Sequence, residues 1–263
     1  MPRKLGQHFL KNKIAITKII AALDLKDGDT IIEIGPGRGE LTLPLSEMFE
    51  VQNVRGKIIA IEKDRELVMN HSSRIKHRTS DIELIHGDAL KIIPDITKRL
   101  TLAANRFKLV GNIPYYITGK LLRVISELEN KSAVTVLMIQ KEVAERIVAQ
   151  PPKMNLLAAI TQFWAEPKIL MTLKPSDFDP APKVESAIIK FLPKTDNLNA
   201  KHYYALVRII FKQPRKTLLN NLSDGLEISK KEILEKLRES GFNEKTRPQE
   251  LNVEQIRKLS IRI

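Results

Sequence analysis

The chain has no cysteine among its 263 residues, and this absence excludes several kinds of protein. Without a thiol there is no disulfide scaffold, thiolate zinc site, iron–sulfur cluster or cysteine nucleophile. The five histidines form no His-x-x-x-His pair, so we expect no metal cofactor. No apolar run approaches the ~18 residues of a membrane span, and polar residues between 7 and 13 interrupt any secretory signal. We therefore expect a cytoplasmic protein with no membrane partner.

The remaining composition is that of a folded, strongly basic protein. Hydrophobic residues make up 43% of the chain, which excludes wholesale disorder. With 11 glycines and 14 prolines the chain is neither collagen-like nor of low complexity. Lys and Arg number 44 and Asp and Glu 31, which leaves a net charge of +13. Such an excess favours a polyanionic partner, most simply a nucleic acid.

Short apolar runs alternate with helical stretches between about residues 14 and 193. Seven of these runs predict strands, at 30–34, 57–61, 81–85, 107–110, 134–139, 169–173 and 186–191. Strands separated by helices favour an α/β fold with a mostly parallel, doubly wound sheet. The Pro-rich stretch between the last two runs is too short for a helical crossover, so we expect the final strand to be antiparallel.

The character of the sequence changes after Pro193. Residues 194–263 contain no strand-like run, and their apolar residues recur at helical spacing. They hold 15 basic and nine acidic side chains, so about a quarter of the chain carries nearly half of the net charge. We predict two domains, 1–193 and 194–263, of which the second is helical and docks on the polyanion.

A loop with three glycines, Gly35, Gly37 and Gly39, joins the first predicted strand to a helix. Glycines let the backbone turn sharply and approach a ligand closely, and the helix N-terminus offers N–H groups. The Gly-x-Gly-x-Gly spacing differs from the dinucleotide fingerprint, and no Lys-Ser/Thr follows as in a Walker A loop. Taken alone, the loop fits either a cofactor site or a plain connection.

Acidic residues follow the next two predicted strands: Glu62 ends the second, and Asp88 comes just after the third. A carboxylate in the first position can accept hydrogen bonds from ribose hydroxyls. One in the second position can accept from the exocyclic amine of an adenine. The carboxyl ends of parallel strands share one edge of the sheet, so the pair outlines a site for an adenosine-bearing cofactor.

The fourth predicted strand runs into Asn112-Ile113-Pro114-Tyr115. The exocyclic amine of adenine is a poor nucleophile, because its lone pair is delocalised into the ring. Acceptors at the Asn112 side chain and the Pro114 carbonyl can hold both of its N–H groups and favour a tetrahedral nitrogen, while Tyr115 stacks on the base. This pattern indicates group transfer to an adenine nitrogen by orientation and electrostatics. The alternative is a strand-terminating turn with packed tyrosines.

Together these motifs resemble those of the rRNA adenine dimethyltransferases, in particular the group that modifies small-subunit rRNA. The resemblance runs through 6–10, 33–39, Glu62, 87–89, 112–115, 140–144 and 178–184. It implies a class I S-adenosylmethionine methyltransferase with a Rossmann-like seven-stranded sheet and a small helical C-terminal domain. Such enzymes dimethylate two adjacent adenosines in a hairpin loop near the 3′ end of small-subunit rRNA.

The resemblance also implies a set of site residues. The cofactor contacts would be His8, Leu10, Glu33, Gly35, Gly37, Glu62, Asp88, Ala89 and Asn112. The catalytic set would be Asn112, Pro114, Tyr115 and Phe178, with Tyr115 and Phe178 on the two faces of the target adenine. Many bacterial relatives have Asn where this chain has His8.

RNA contacts are expected at Lys183, Arg215 and Lys216. The family's Arg-Arg-Lys-Thr is here Pro-Arg-Lys-Thr at 214–217, so one arginine is missing. This segment favours the small-subunit group over the macrolide-resistance methylases, which modify large-subunit rRNA and remain one alternative. Another is a mainly non-catalytic factor in small-subunit assembly. We expect a monomer that acts on rRNA within an immature small subunit.

Overall fold

The computed structural model describes residues 7–75, 81–102, 106–194 and 200–263. Gly6 of the N-terminal motif and residues 195–199, near the predicted domain boundary, lie outside these ranges. The chain forms two compact units. The first comprises the residues up to Ala144 together with Lys168–Pro193, and the second comprises Glu145–Pro167 and Lys194–Ile263.

Strands and helices alternate through most of the chain. The strands are β1 (Phe9–Leu10), β2 (Asp29–Ile34), β3 (Gly56–Glu62), β4 (Asp81–His86), β5 (Phe107–Asn112), β6 (Thr135–Gln140), β7 (Ala165–Leu173), β8 (Phe178–Asp179) and β9 (Ser186–Pro193). The helices are α1 (Lys13–Leu23), α2 (Thr42–Val51), α3 (Arg65–Ile75), α4 (Ala89–Leu102), α5 (Thr118–Glu127), α6 (Lys141–Ile147), α7 (Leu156–Trp164), α8 (Ala200–Ile210), α9 (Leu218–Gly225), α10 (Lys230–Glu239) and α11 (Val253–Arg262).

All seven predicted strands lie in one sheet, whose order is β4-β3-β2-β5-β6-β9-β7. The pairs β4·β3, β3·β2, β2·β5 and β5·β6 are parallel, and β9 runs antiparallel to β6. The predictions of a doubly wound sheet and of an antiparallel final strand are therefore confirmed. Every residue of β2 is buried, as expected for a central strand that is covered on both faces.

A close approach between β2 and β5 explains one glycine of the sheet. Gly111 pairs with Ile34, and a Cβ at Gly111 would lie 2.5 Å from the Ile34 carbonyl oxygen. A side chain there would push apart the two strands that carry the glycine loop and the Asn-Ile-Pro-Tyr segment. Gly111 thus keeps these two segments close together.

A buried ion pair lies within the first unit. The Lys108 ammonium of β5 contacts the Asp29 carboxylate of β2, and their side chains are only 3% and 4% exposed. The ammonium also donates to the Asp24 carbonyl at the end of α1. Because these partners satisfy the buried cation, the pair ties α1 to two central strands.

A second, two-stranded sheet joins segments that are distant in sequence. Phe9 pairs with Asp179, and Leu10 pairs with Phe178 in an antiparallel arrangement. The N–H of Lys11 donates to the Asp177 carbonyl oxygen at 2.8 Å. Residues 7–10, which include β1 of this small sheet, are called the strap below.

The second unit is helical and has its own core. The rings of Phe163 and Tyr203 stack at 4.0 Å between centroids, and the Tyr203 hydroxyl donates to the Ala159 carbonyl oxygen at 2.9 Å. These contacts join α7 to α8, so residues 145–167 belong with the C-terminal helices. The prediction of a single boundary at 193/194 misses this segment, because α7 looks like one more helix of an α/β repeat.

Within the described residues, no helix is long and apolar enough to cross a membrane. In the same part of the chain, no group of three His, Asp or Glu side chains has the arrangement of a metal site.

Candidate active site

A cleft lies at the carboxyl ends of β2, β3, β4 and β5. The structure brings all the predicted cofactor contacts to its wall: His8, Leu10, Glu33, Gly35, Gly37, Glu62, Asp88, Ala89 and Asn112. It also brings Pro114 and Tyr115 there, whereas Phe178 is not among the lining residues.

The glycine loop forms the floor of the cleft. Gly35 and Gly37 have φ angles of +68° and +61°, which L side chains rarely adopt. A Cβ at Gly37 would lie 3.1 Å from the Phe9 ring of the strap. The loop is anchored by hydrogen bonds from Gly35 N to Ile61 O (2.9 Å) and from Gly37 N to Glu62 Oε2 (3.2 Å).

Glu62 is 6% exposed at the end of β3. Besides Gly37, the backbone N–H groups of Lys63 and Asp64 donate to its Oε1, at 2.8 and 2.9 Å. These three donors fix the carboxylate and satisfy its charge. One of its roughly four lone-pair positions remains for a ligand.

Glu33 lies deeper, at 1% exposure, and the Thr42 hydroxyl donates to its Oε2 at 2.7 Å. Burial raises the pKa of Glu33 to about 8, with smaller contributions from the nearby Glu40 and Glu62 carboxylates, while the Thr42 hydrogen bond opposes the shift. The cleft therefore holds a carboxyl group that is mostly protonated at neutral pH.

This raised pKa predicts a pH-dependent loss of stability. The folded chain binds more protons than the unfolded chain between the ordinary pKa of 4.5 and about 8, so stability falls as pH rises through this window. Glu33→Gln should abolish the loss. The Tm difference between this variant and the wild type should grow by about 5 °C from pH 6 to pH 9 in thermal unfolding. As a control, the exposed Glu129→Gln variant should differ from the wild type by the same Tm at both pH values. A Tm difference for Glu33→Gln that is likewise the same at both pH values would contradict the prediction.

Asp88 follows β4 and is partly exposed. Its Oδ2 accepts from the Lys63 ammonium at 3.1 Å, and its Oδ1 accepts from Leu90 N at 3.0 Å. Burial opposes ionisation of Asp88, yet the hydrogen bonds from Lys63 and Leu90 prevail and lower the pKa of its carboxyl. Asp88 is thus an ionised acceptor at the far side of the cleft from Asn112.

Asn112 is oriented by the strap. Its Nδ2 donates to the His8 carbonyl oxygen at 2.6 Å, so its Oδ1 serves as the acceptor on the other side of the amide. The His8 ring donates from Nδ1 to the Pro180 carbonyl oxygen at 2.7 Å. The strap therefore couples the Asn112 amide to the loop that follows β8.

Tyr115 stands beside this amide with its ring held at both ends. Its hydroxyl shares a 2.9 Å hydrogen bond with the Ser186 hydroxyl. Its ring is stacked against the His8 ring, with centroids 6.1 Å apart and planes inclined by 26°. A fixed aromatic face next to a fixed amide acceptor suits recognition of a planar base that carries an amine.

Phe178 occupies a different environment from the one expected. It is 2% exposed and packs in the hydrophobic core with Leu10, its partner across the β1·β8 pair. Side chains alternate along a strand, and here the exposed position falls to Asp179. This burial favours a core role in which Phe178 supports the strap, and the place of its ring against the target base stays a prediction.

Phe178→Leu tests this assignment. This large-to-small core substitution should lower the free energy of unfolding by about 1–2 kcal/mol and leave the methyl-transfer rate within about two-fold. Urea denaturation and a transfer assay on the same preparations provide both values. A loss of more than ten-fold in rate with unchanged stability would instead place the ring against the base.

The predicted RNA contacts lie in both units. Lys183 is exposed in the first unit, and Arg215 and Lys216 are exposed in the second. Lys216 pairs with Asp224 at 3.0 Å in an exposed ion pair, which is worth little in solution. The structure keeps these cations accessible to an anionic partner.

Sequence reasoning missed several residues of the cleft. Lys63, Glu40 and Tyr116 line it, although none has the spacing of a motif by itself. Lys63 and Tyr116 directly follow assigned residues, Glu62 and Tyr115. Proximity to an assigned position was the one available signal.

A doubly wound sheet with a cleft at its carboxyl edge, and with Asn-Ile-Pro-Tyr beside it, defines a class I methyltransferase that acts on an amine. The chain belongs to the ribosomal RNA adenine dimethylase family, whose family model matches residues 1–263. The predictions of the family, the fold class and a methyltransferase activity are therefore confirmed.

Individual relatives agree with this assignment. A ribosomal RNA small subunit methyltransferase A from Dehalococcoides mccartyi is 38% identical over 261 residues, which cover 98% of this chain and 86% of the relative. A dimethyladenosine transferase from Plasmodium falciparum, known from its crystal structure, is 26% identical in sequence to this chain. Its structure has a TM-score of 0.78 with this one, and 96% of each chain is covered. The 23S rRNA methyltransferase ErmE, at 21% identity, shares the fold with a TM-score of 0.73 over 97% of this chain and 98% of its own.

Proposed function

We propose that this enzyme transfers methyl groups from S-adenosylmethionine to the exocyclic amines of two adjacent adenosines. Its target is the 3′-terminal hairpin loop of small-subunit rRNA within an immature subunit. The enzyme acts as a monomer in the cytoplasm, where subunits assemble. The observation that carries the proposal is the Asn112 amide, fixed by His8 and flanked by Tyr115, in the cleft of a ribosomal RNA adenine dimethylase.

The charge of the cleft fits this cofactor. In a chain of net charge +13, the lining has one lysine, Lys63, and three acidic residues besides the mostly protonated Glu33, namely Glu40, Glu62 and Asp88. S-adenosylmethionine carries a sulfonium and an ammonium, which acidic surroundings favour. A nucleotide with several phosphates would be repelled by the same surroundings.

The contacts follow the chemistry of each group. Glu62 has one lone-pair position for a ribose hydroxyl, Asp88 offers a carboxylate to the adenine amine, and the turn at Gly35 lets the methionine end approach the backbone. Gly37, Ala89, His8, Leu10 and Glu33 complete the wall.

When bound, S-adenosylmethionine supplies an electrophilic methyl group whose C–S bonding electrons stay with sulfur. The Asn112 Oδ1 accepts one N–H of the adenine amine and turns its lone pair toward the methyl carbon. A backbone carbonyl accepts the second N–H. The nitrogen becomes acidic as the new bond forms, so its proton passes to solvent without a strong base, and the rate gain comes from orientation and electrostatics.

Two carbonyls can serve as that second acceptor. The Pro114 carbonyl already accepts Ile117 N–H at 3.0 Å, which leaves its second lone pair. The neighbouring Ile113 also lines the cleft. We assign Pro114 the role of fixing the turn and of presenting one of these two carbonyls, while Tyr115 stacks on the base.

The basic side chains supply affinity for rRNA. Lys183, Arg215 and Lys216 neutralise backbone phosphates, so binding should weaken steeply with salt. A mainly structural role in subunit assembly is compatible with these contacts. Such a role does not require the Asn112 side chain, whereas the proposed methyl transfer does.

The decisive experiment compares small-subunit rRNA from cells with and without this protein by mass spectrometry. We expect two adjacent dimethyladenosines in the 3′-terminal hairpin only when the protein is present, and restoration by the purified enzyme with S-adenosylmethionine on unmethylated small subunits. Unchanged small-subunit adenines would refute the proposal. A new methylated adenine in large-subunit rRNA would support the macrolide-resistance type of activity instead.

A further inference from the structure

Tyr116 is an exposed aromatic residue on the wall of the cleft. Its side chain is 60% exposed, and it lines the cleft next to Tyr115. A large aromatic ring in water at the mouth of a binding site gains free energy by stacking on a ligand. The proposed chemistry on Tyr115 and Asn112 gives Tyr116 no role.

The local turn directs the two tyrosines differently. Tyr115–Ile117 is a single 3-10 turn, in which successive residues are rotated by about 120°. Tyr115 is held inside by Ser186 and His8, whereas Tyr116 is left with its ring at the rim. The two rings thus present one inner and one outer stacking surface.

A cation lines the same cleft as Tyr116. The Lys63 side chain is 54% exposed and pairs with Asp88 at 3.1 Å. The hydrogen bond to Asp88 and the charge of its carboxylate raise the pKa of the Lys63 ammonium. An aromatic face beside an ammonium is the combination that binds a nucleotide of a single strand, since one takes the base and the other the phosphate.

We propose that Tyr116 and Lys63 form a rim subsite for the RNA nucleotide next to the adenosine that is being methylated. The inference rests on the proposed function, whose substrate has two adjacent adenosines. While one base lies on Tyr115 in the cleft, its neighbour stacks on Tyr116, and Lys63 contacts the phosphate that joins them or the next one.

The Asp88 carboxylate links this subsite to the cofactor. Leu90 N and Lys63 each take one of the roughly four lone-pair positions of the Asp88 carboxylate. Two positions therefore remain for the adenine amine of the cofactor, and Lys63 can contact the RNA while Asp88 holds the cofactor.

The experiment measures binding of the full-length enzyme to small subunits that lack the methyl groups, with S-adenosylhomocysteine present to fill the cleft. The variants are Tyr116→Ala, Tyr116→Phe and Lys63→Met, and Val51→Ala serves as a control at another exposed apolar residue. S-adenosylhomocysteine affinity is measured on each variant by calorimetry.

Tyr116→Ala should weaken subunit binding about ten-fold, while Tyr116→Phe and Val51→Ala stay within about two-fold of wild type. S-adenosylhomocysteine affinity should be unchanged in Tyr116→Ala. Lys63→Met should reduce the slope of log affinity against log salt by about 0.7, the value for one phosphate on a single strand.

Tyr116→Ala binding within two-fold of wild type would overturn the inference, as would an unchanged salt slope in Lys63→Met. A loss of S-adenosylhomocysteine affinity in Tyr116→Ala equal to its loss of subunit affinity would overturn it too, since the ring would then cover the cofactor. Failure of the proposed function is distinguishable, because the wild type itself would leave the small-subunit adenines unmethylated.

Discussion

Asn112→Ala should lower the rate of methyl transfer by about 10³-fold, the loss that follows removal of one preorganised hydrogen-bonding group from an active site. The substitution deletes the Oδ1 acceptor for the adenine amine and the Nδ2 donor that holds the His8 carbonyl oxygen. Single-turnover transfer of labelled methyl groups to unmethylated small subunits measures the loss. Affinity for the subunits should stay within about three-fold, because the basic side chains that supply it are untouched.

Asn130→Ala provides the matched control, because Asn130 lies in the loop between α5 and β6 and not on the wall of the active-site cleft. It should retain the wild-type rate. Retention of more than a tenth of the rate by Asn112→Ala would refute the catalytic assignment. If the inactive variant still supports subunit maturation in cells, the essential role of the protein is assembly and the methylation accompanies it.

Asp29→Ala should lower the free energy of unfolding by about 3–5 kcal/mol, the usual cost of leaving one partner of a buried ion pair alone. The Lys108 ammonium would remain 3% exposed with the Asp24 carbonyl as its remaining partner. Asp29 also accepts from Lys26 N at 2.7 Å, so the turn after α1 loses an anchor at the same time. Urea denaturation followed by circular dichroism measures the change.

The exposed pair of Lys57 and Asp81 serves as the comparison. Its atoms are 3.9 Å apart, and its side chains are 39% and 68% exposed, so Asp81→Ala should cost less than about 1 kcal/mol. A cost of under 1 kcal/mol for Asp29→Ala as well would show that the ammonium reaches water in the variant. Burial would then not be what makes the pair stabilising.

Local patterns predicted the large sheet because each of its strands has its own apolar run. β2 and β3 are buried almost throughout, and a helix follows each of them, so periodicity and the right-handed crossover rule suffice. The grouping of the candidate site residues in one cleft was predictable for a similar reason. Glu62, Asp88 and Asn112 each follow a strand, and parallel strands bring their carboxyl ends together.

Long-range pairing was beyond reach of the sequence. β1 and β8 have two residues each, too few for any alternation to appear, and about 170 residues separate them. Their pairing buries Phe178 and brings the His8 carbonyl to Asn112, and neither contact could be predicted from the sequence. The assignment of 145–167 to the helical unit was missed for a related reason, since it depends on packing of α7 against α8.

The acidic lining of the cleft also determines which part of an RNA strand can enter it. The carboxylates of Glu40, Glu62 and Asp88 around the cavity repel phosphates, while a neutral adenine passes between them without an electrostatic penalty. The backbone must therefore stay outside, and a base reaches Asn112 only by leaving its stack. Under the proposed function, the two adenosines must therefore enter the cleft one at a time.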